Sequence, residues 1–216
     1  MGTSECSLVE SDEVIQKICS EVIRLSSTCG LTDETLLQAC ENLGYEHYMS
    51  MFPAGIDDIL KHVYKSLSNF LILSSNEADF SGLTRIRDRM GYLLKACIRY
   101  QASLPHFREY TKELLRYFCS PQHLCFASSI TFGVADTMWN LVGDSSVKFD
   151  YYTKRLTASG IYFASLMYLG SDTSDNLEDT FAFIDRRIDN VLTFHKFKNK
   201  LWKMLGGIRV PRNMRD

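Results

Sequence analysis

A chain of 216 residues, 45% hydrophobic and 23% charged, suits one domain of ordinary soluble composition with length enough to bury a sizeable core. Seven cysteines at scattered spacings argue against a disulfide framework and for a reducing compartment. The opening Met1-Gly-Thr-Ser-Glu-Cys-Ser is acidic and lacks a signal or transit pattern, and no window reaches about 18 apolar residues; a cytoplasmic protein that does not cross a membrane is expected.

From the N-terminus, Ile15, Ile18, Val22, Ile23 and Leu25 fit one helical face. Asp33 and Glu34 follow Thr32, a capped and acid-first start to a second short helix that ends near Leu43-Gly44. Tyr45 to Met51 fits a third, and a longer helix follows Phe52-Pro53 over Ile56–Leu73. The second half reads as longer helices over about 83–103, 105–118, 123–142, 149–169 and 175–193. Asp175 with Glu178 has capping-box spacing, and Leu177, Phe181, Ile184, Ile188 and Val191 mark one packed face of the helix after them. Alternating β-branched runs and Asn-Gly hairpin signals are missing, so the fold class is all-α.

Three short helices before an aromatic-Pro corner and a long helix also form the TetR layout, with 12–55 as a helix-turn-helix-like part. A DNA-reading third helix would need basic residues there. No Lys or Arg occurs between Arg24 and Lys61, while Asp33, Glu34, Glu41, Glu46, Asp57 and Asp58 do. Phosphate neutralisation supplies most non-specific DNA affinity, so no nucleic-acid partner is expected.

Catalytic constellations are sparse. Cys119, His123 and Cys125 lack the paired knuckle of a zinc site, and no Glu-x-x-His pair exists to build a di-iron centre in a helical bundle. Nucleophile-elbow, P-loop and dinucleotide glycine motifs are absent as well. The reading is a non-enzyme with no metal and no catalytic residue. Asp185 and Asp189 share a helix face and suit salt bridges to a neighbouring helix.

Aromatic and methionine residues are the richer signal. Met138, Trp139, Tyr151, Tyr152, Tyr162, Phe163, Met167 and Tyr168 gather on two consecutive helices joined by Gly143-Asp144-Ser145-Ser146. Core packing suits Phe163 and Met167. Trp139, Tyr151 and Tyr152 flank the polar connector, where large apolar side chains with a polar handle suit an interface or a ligand cavity.

The same region reads Asp136-Thr-Met-Trp139-Asn-Leu-Val-Gly143-Asp144, then Phe149-Asp-Tyr151-Tyr152-Thr153-Lys154-Arg155, then Glu178-Asp-Thr180-Phe-Ala-Phe183-Ile-Asp185-Arg186-Arg187-Ile188-Asp189. It resembles the Coq-nine type of ubiquinone-biosynthesis accessory protein, whose members follow D-x-x-W-x-x-x-G-D-x-S-x-D-F-N-W-Y-T-K-R and D-T-W-x-F-L-D-R-R-I-D. The resemblance runs from about Asp12 to Leu205. It implies a TetR-like, non-catalytic protein that binds an isoprenoid lipid and assists a di-iron demethoxyubiquinone hydroxylase. Carried over by motif, Met138, Trp139, Lys148, Tyr151 and Tyr152 would meet that hydroxylase. Tyr151 stands where the family has Trp, and Lys148 reverses the charge of the usual acid.

The last segment differs in charge from the rest. Residues 194–216 carry seven Lys and Arg against Asp216, a balance of +6; the whole chain is −2, which leaves −8 for residues 1–193. On a helical wheel Phe194, Phe197, Leu201, Trp202, Met204, Leu205 and Ile208 share one face, and Lys196, Lys200 and Lys203 lie opposite. That is the pattern of an interfacial membrane helix. Its membrane-binding residues would be Phe194, Lys196, Phe197, Lys200, Leu201, Trp202, Lys203 and Leu205, against an anionic surface. The competing reading is a last bundle helix packed on its own domain.

The sequence thus divides into one lipid-binding domain over 1–193 and a basic amphipathic tail over 194–216. The resemblance implies an accessory protein that presents a quinone intermediate at the inner face of a membrane, with no cofactor beyond the bound lipid. A homodimer is expected by analogy with TetR-like bundles. The alternatives are a TetR-type regulator with a small-molecule pocket and, third, a fatty-acyl or quinone enzyme.

Overall fold

Apolar residues at helical spacing become the inner faces of nine α-helices among the described residues. In chain order these are α1 (Thr3–Cys29), α2 (Asp33–Leu43), α3 (Ile56–Ser75), α4 (Ala78–Ser81), α5 (Ile86–Ala102), α6 (Phe107–Cys119), α7 (Leu124–Val142), α8 (Phe149–Leu169) and α9 (Glu178–Leu205). The structure, a computed structural model, describes the backbone of residues 3–45, 51–146 and 149–205, and the side chains of 12–45, 51–146 and 150–191. No strand occurs among them, so the fold is all-α as its sequence pattern predicts. The predicted third short helix falls on residues 46–50, outside the described residues. Nor is the first helix short: α1 has 27 residues.

Local chemistry sets several of the boundaries. Thr32 caps α2, its side chain accepting a hydrogen bond from the Thr35 N–H at 3.3 Å. Asp33 does more than stand in an acidic first turn. Its Oδ1 accepts the Ile56 N–H at 3.0 Å, tying the start of α3 to the start of α2. A Cβ on Gly55 would lie 2.1 Å from that Asp33 oxygen, so only glycine fits there. Asp57 and Asp58 are engaged in the same way: Asp57 accepts the Tyr117 hydroxyl at 2.7 Å and Asp58 accepts the Ala54 N–H at 2.8 Å. These carboxylates hold helix ends and a helix-helix contact.

Helix α5 is the central element. It packs on α3, α6, α7, α8 and α9. Its Leu93, Leu94, Ala96, Cys97 and Ile98 are buried on several faces, as a helix surrounded by neighbours requires. Burial in this apolar setting pushes the Cys97 thiol far above the usual thiol range. Ile18 and Val22 of α1, Leu67 and Leu71 of α3, Leu114 of α6 and Ile184 of α9 complete the same core.

Helix α9 begins differently from the Asp175–Glu178 capping box that the spacing suggests. Asn176 and Leu177 take left-handed backbone angles, φ 52° and 62°, so no continuous first turn connects Asp175 to Glu178. Asp172 supplies the cap instead. Its carboxylate accepts the Ser174 N–H at 2.8 Å and the Thr180 N–H at 3.0 Å, together with the Thr180 hydroxyl. Further along, Asp185 pairs with Lys95 at 2.8 Å and Asp189 with Arg87 at 2.6 Å, both on α5. The shared face of the two aspartates therefore clamps α9 to the central helix. The backbone of α9 runs unbroken past position 193 to Leu205.

Candidate functional site

The α7–α8 corner is built around one buried guanidinium. Helix α7 ends at Gly143, whose left-handed φ of 83° lets its N–H reach Asn140 O at 3.0 Å. Glycine meets that requirement without Cβ strain. The next N–H, of Asp144, reaches Trp139 O at 3.0 Å and turns the connector back over the helix end. Asp144 then accepts Lys154 Nζ at 2.6 Å, Ser146 Oγ at 2.5 Å and Arg155 at 3.2 Å. Arg155, only 1% exposed, also pairs with Asp136 at 2.5 Å, and its guanidinium lies 3.4 Å from the centre of the Tyr151 ring. Tyr151 completes the ring of contacts by donating to Asp136 at 2.9 Å.

Two carboxylates around one cation meet the condition for keeping a buried charge, which is pairing with full hydrogen bonding. Burial by itself would raise the Asp144 carboxyl. The bonds from Lys154, Ser146 and Arg155 outweigh it and bring its pKa down to about 2. The Asp136 carboxyl is held low for the same balance of reasons, with Arg155 and Tyr151 overriding burial. A depressed carboxylate stabilises the fold above its ordinary range near 3.8, and that contribution disappears as pH falls through the folded value near 2. Asp144→Asn should therefore be less stable than the parent at neutral pH, and the gap in urea unfolding should narrow below about pH 4. A gap of constant size down to pH 2 would contradict the network described.

The structure separates the residues that the sequence grouped as a docking patch. Met138 is 0% exposed and packs against Cys97 in the core, at 3.9 Å between sulfurs, so it is withdrawn from the surface. Its spacing from Val134, Ala135 and Val142 places it on the inner face of α7. Trp139 is half-buried; its indole N–H donates to Lys154 O at 3.1 Å, and Lys154 Nζ sits 5.1 Å from the indole ring. Tyr151 is half-buried in the ion network. Tyr152 is 59% exposed and continues outward into Leu156 and Met167, which are exposed as well. Met167, expected in the core, lies on that outer strip. Lys148 falls outside the described residues, as do the side chains of 192–205 that carry the membrane-binding expectation.

Of the cysteine and histidine trio, Cys119 and Cys125 are exposed, and the His123 ring stacks on Tyr117 at 3.8 Å. Among the described residues no group of His, Cys, Asp and Glu is arranged to hold a metal ion.

Behind Trp139 and Lys154 opens a groove of about 330 Å³, which the sequence reading did not locate. Four helices line it: Met90 from α5, Trp139 from α7, Lys154, Ala158 and Ile161 from α8, and Ile188 and Val191 from α9. Arg87, Asp150, Thr153 and Thr157 add its polar lining. Spacings of four, three and four from Asp150 to Ile161 put one stripe of α8 against the groove. That stripe differs from both the buried face (Arg155, Tyr162, Leu166) and the exposed face (Tyr152, Leu156, Met167). Helix α8 thus presents three distinct faces. An apolar concavity with a few polar groups at its border is the ordinary form of a small-molecule site.

Fold and groove define a class: an all-α bundle with an apolar groove beside a rigid, ion-paired helical corner. A family model described as COQ9 matches residues 125–195, which contain that corner and the lining residues of three of the four helices around the groove. The chain is similar to a probable ubiquinone biosynthesis protein coq9, mitochondrial, of Dictyostelium discoideum, 26% identical over 198 residues, 88% of this chain and 63% of that protein. Ubiquinone biosynthesis protein COQ9, mitochondrial, of Rattus norvegicus is 26% identical over 188 residues, 85% of this chain and 60% of its own length. The Schizosaccharomyces pombe protein of that name is 25% identical over 171 residues, 79% and 66% of the two chains. Together the family match and these relatives support a COQ9-type protein. The chain spans about three fifths to two thirds of the length of the curated relatives it matches. No helix among the described residues is long and apolar enough to cross a membrane.

Proposed function

We propose that the protein acts in ubiquinone biosynthesis as a non-catalytic, lipid-binding accessory protein. In this reading it holds a prenylated quinone intermediate in the groove between α5, α7, α8 and α9 and presents it to a separate di-iron hydroxylase. The observation that carries the reading is the groove itself, an apolar concavity whose Trp139 and Lys154 wall also braces the aromatic corner. The names of the relatives supply the pathway and a mitochondrial setting. A peripheral position on an anionic membrane follows from the basic apolar tail. Self-association as a homodimer belongs to the same proposal. The TetR-type regulator is disfavoured by the lack of any Lys or Arg between Arg24 and Lys61, and by the engagement of Asp33, Asp57 and Asp58 in helix ends and helix contacts.

The hydroxylase contact has a direct check. Tyr152→Ala should weaken hydroxylase binding by about 2 kcal/mol, as truncation of an interface aromatic commonly does. The thermal midpoint should barely move, because the side chain is mostly in solvent. Unchanged binding by calorimetry would remove Tyr152 from the contact. Transfer of a short-chain quinone from labelled vesicles to the protein tests the lipid-holding step. Ile161→Trp, which fills the groove, should abolish that transfer while retaining the helical circular dichroism spectrum. Equal transfer by the folded variant would refute the groove as the site.

A further inference from the structure

We infer that Lys154 is the recognition group of the groove: its ammonium anchors an acceptor oxygen on the ring of the bound lipid, and the ion-paired corner holds that ammonium ready. This rests on the lipid-holding reading above and assigns the contact that selects a quinone over a plain hydrocarbon. The other polar side chains at the border suit an acceptor oxygen poorly. Asp150 carries acceptors of its own and repels a carbonyl oxygen. Thr157 spends its hydroxyl proton on Thr153 O at 2.8 Å, and Thr153 is itself engaged. Arg87 is committed to Asp189 at 2.6 Å in an exposed pair.

Lys154 differs because it is both held and accessible. One N–H goes to Asp144 Oδ1 at 2.6 Å, and the ammonium lies 5.1 Å from the centre of the Trp139 ring, a second attraction. The indole N–H in turn donates to Lys154 O at 3.1 Å, so the two residues fix each other in the groove wall. An ammonium has three donors, and with its side chain 39% exposed Lys154 keeps donor capacity for a ligand. A lysine ordinarily loses rotamer freedom when it binds; here Asp144 and Trp139 have already restricted it, which is preorganisation. The groove is open-sided, so the lipid chain can run outward and selection falls on the ring.

The test uses the full chain and two probes that differ only in the ring oxygens, trimethyl-prenyl-1,4-benzoquinone and the matching trimethyl-prenylbenzene. Full substitution of the quinone ring leaves no open position for addition of the exposed Cys29, Cys119 and Cys125 thiols. Affinities are read by equilibrium dialysis of the tritiated probes. A hydrogen bond from a charged donor is worth roughly 10- to 100-fold, so Lys154→Met, which keeps an apolar stem, should lower the quinone-to-hydrocarbon affinity ratio at least about 10-fold. Lys154→Arg, which keeps charge and donors, should hold the ratio within about threefold of the parent. If Lys154→Met fails to fold, the infrared carbonyl stretch of the quinone bound to the parent decides: a downshift from its value in hydrocarbon solvent is expected, and an unshifted band overturns the anchor. A ratio unchanged in folded Lys154→Met, with both probes weakened alike or not at all, overturns the anchor and leaves the lipid reading standing. No saturable binding of either probe to the parent overturns both.

Discussion

Arg155→Ala should destabilise the fold by about 3 kcal/mol, the largest effect expected of a single substitution at the corner. Truncating one partner of a buried ion pair costs roughly 3–5 kcal/mol, because the remaining charge stays desolvated and unpaired. The lower end applies here: Asp144, only 5% exposed, keeps its pair with Lys154, and Asp136 at 34% can recover some hydration. For a chain of this size that corresponds to a fall of roughly 6–12 °C in thermal midpoint. Asp136→Asn should cost less than Arg155→Ala, since it leaves Asp144 to accompany the cation. A fall under about 2 °C for Arg155→Ala would mean that the guanidinium is dispensable.

That substitution also separates two roles of the corner. If the ion network positions Tyr151 and Tyr152 for a partner, Arg155→Lys should bind the hydroxylase poorly even when folded. Lysine keeps the charge but lacks the planar fork that reaches Asp136 and Asp144 together.

The charge-reversed tail carries the second large effect. Replacing Lys196, Lys200 and Lys203 with Glu should weaken attachment to anionic vesicles by at least about 3 kcal/mol, roughly 150-fold, at about 1 kcal/mol for each lost basic contact. Phe197→Ser with Trp202→Ser should reduce binding to neutral and anionic vesicles alike, since apolar burial contributes to both. Because α9 is continuous through position 193, deletion of 194–216 also tests the competing bundle-helix reading. A truncated chain that folds but no longer sediments with vesicles supports the membrane reading. Loss of folding would assign Phe194, Phe197 and Leu201 to the core.

Helix positions were legible where periodicity and end signals coincide. Thr32 and Gly44 bracket α2 as a side-chain cap and a left-handed stop should, and the α7–α8 connector falls at Gly143 as read. Asp172 was missed as the cap of α9 because it acts across eight residues on Thr180, beyond any local spacing rule. The aromatic corner was legible as a cluster, but not in its division into roles. Periodicity on one helix cannot say which neighbour covers a face, and Met138 proved to be core while Met167 is exposed. The groove was invisible for the same reason. Its walls come from α5, α7, α8 and α9, separated by up to about a hundred residues, and only their packing brings Met90, Ile161 and Ile188 together. The acidic N-terminal stretch was read as a surface hostile to DNA; the structure adds that Asp33, Asp57 and Asp58 also have structural partners.

Lipid carried through purification from a native source is the most direct readout of the proposed activity. Mass spectrometry of the extracted protein should find a prenylated quinone or quinone precursor, at a level strongly reduced in Ile161→Trp. Protein that retains no isoprenoid lipid, or retains the same amount with the groove filled, would contradict the proposal.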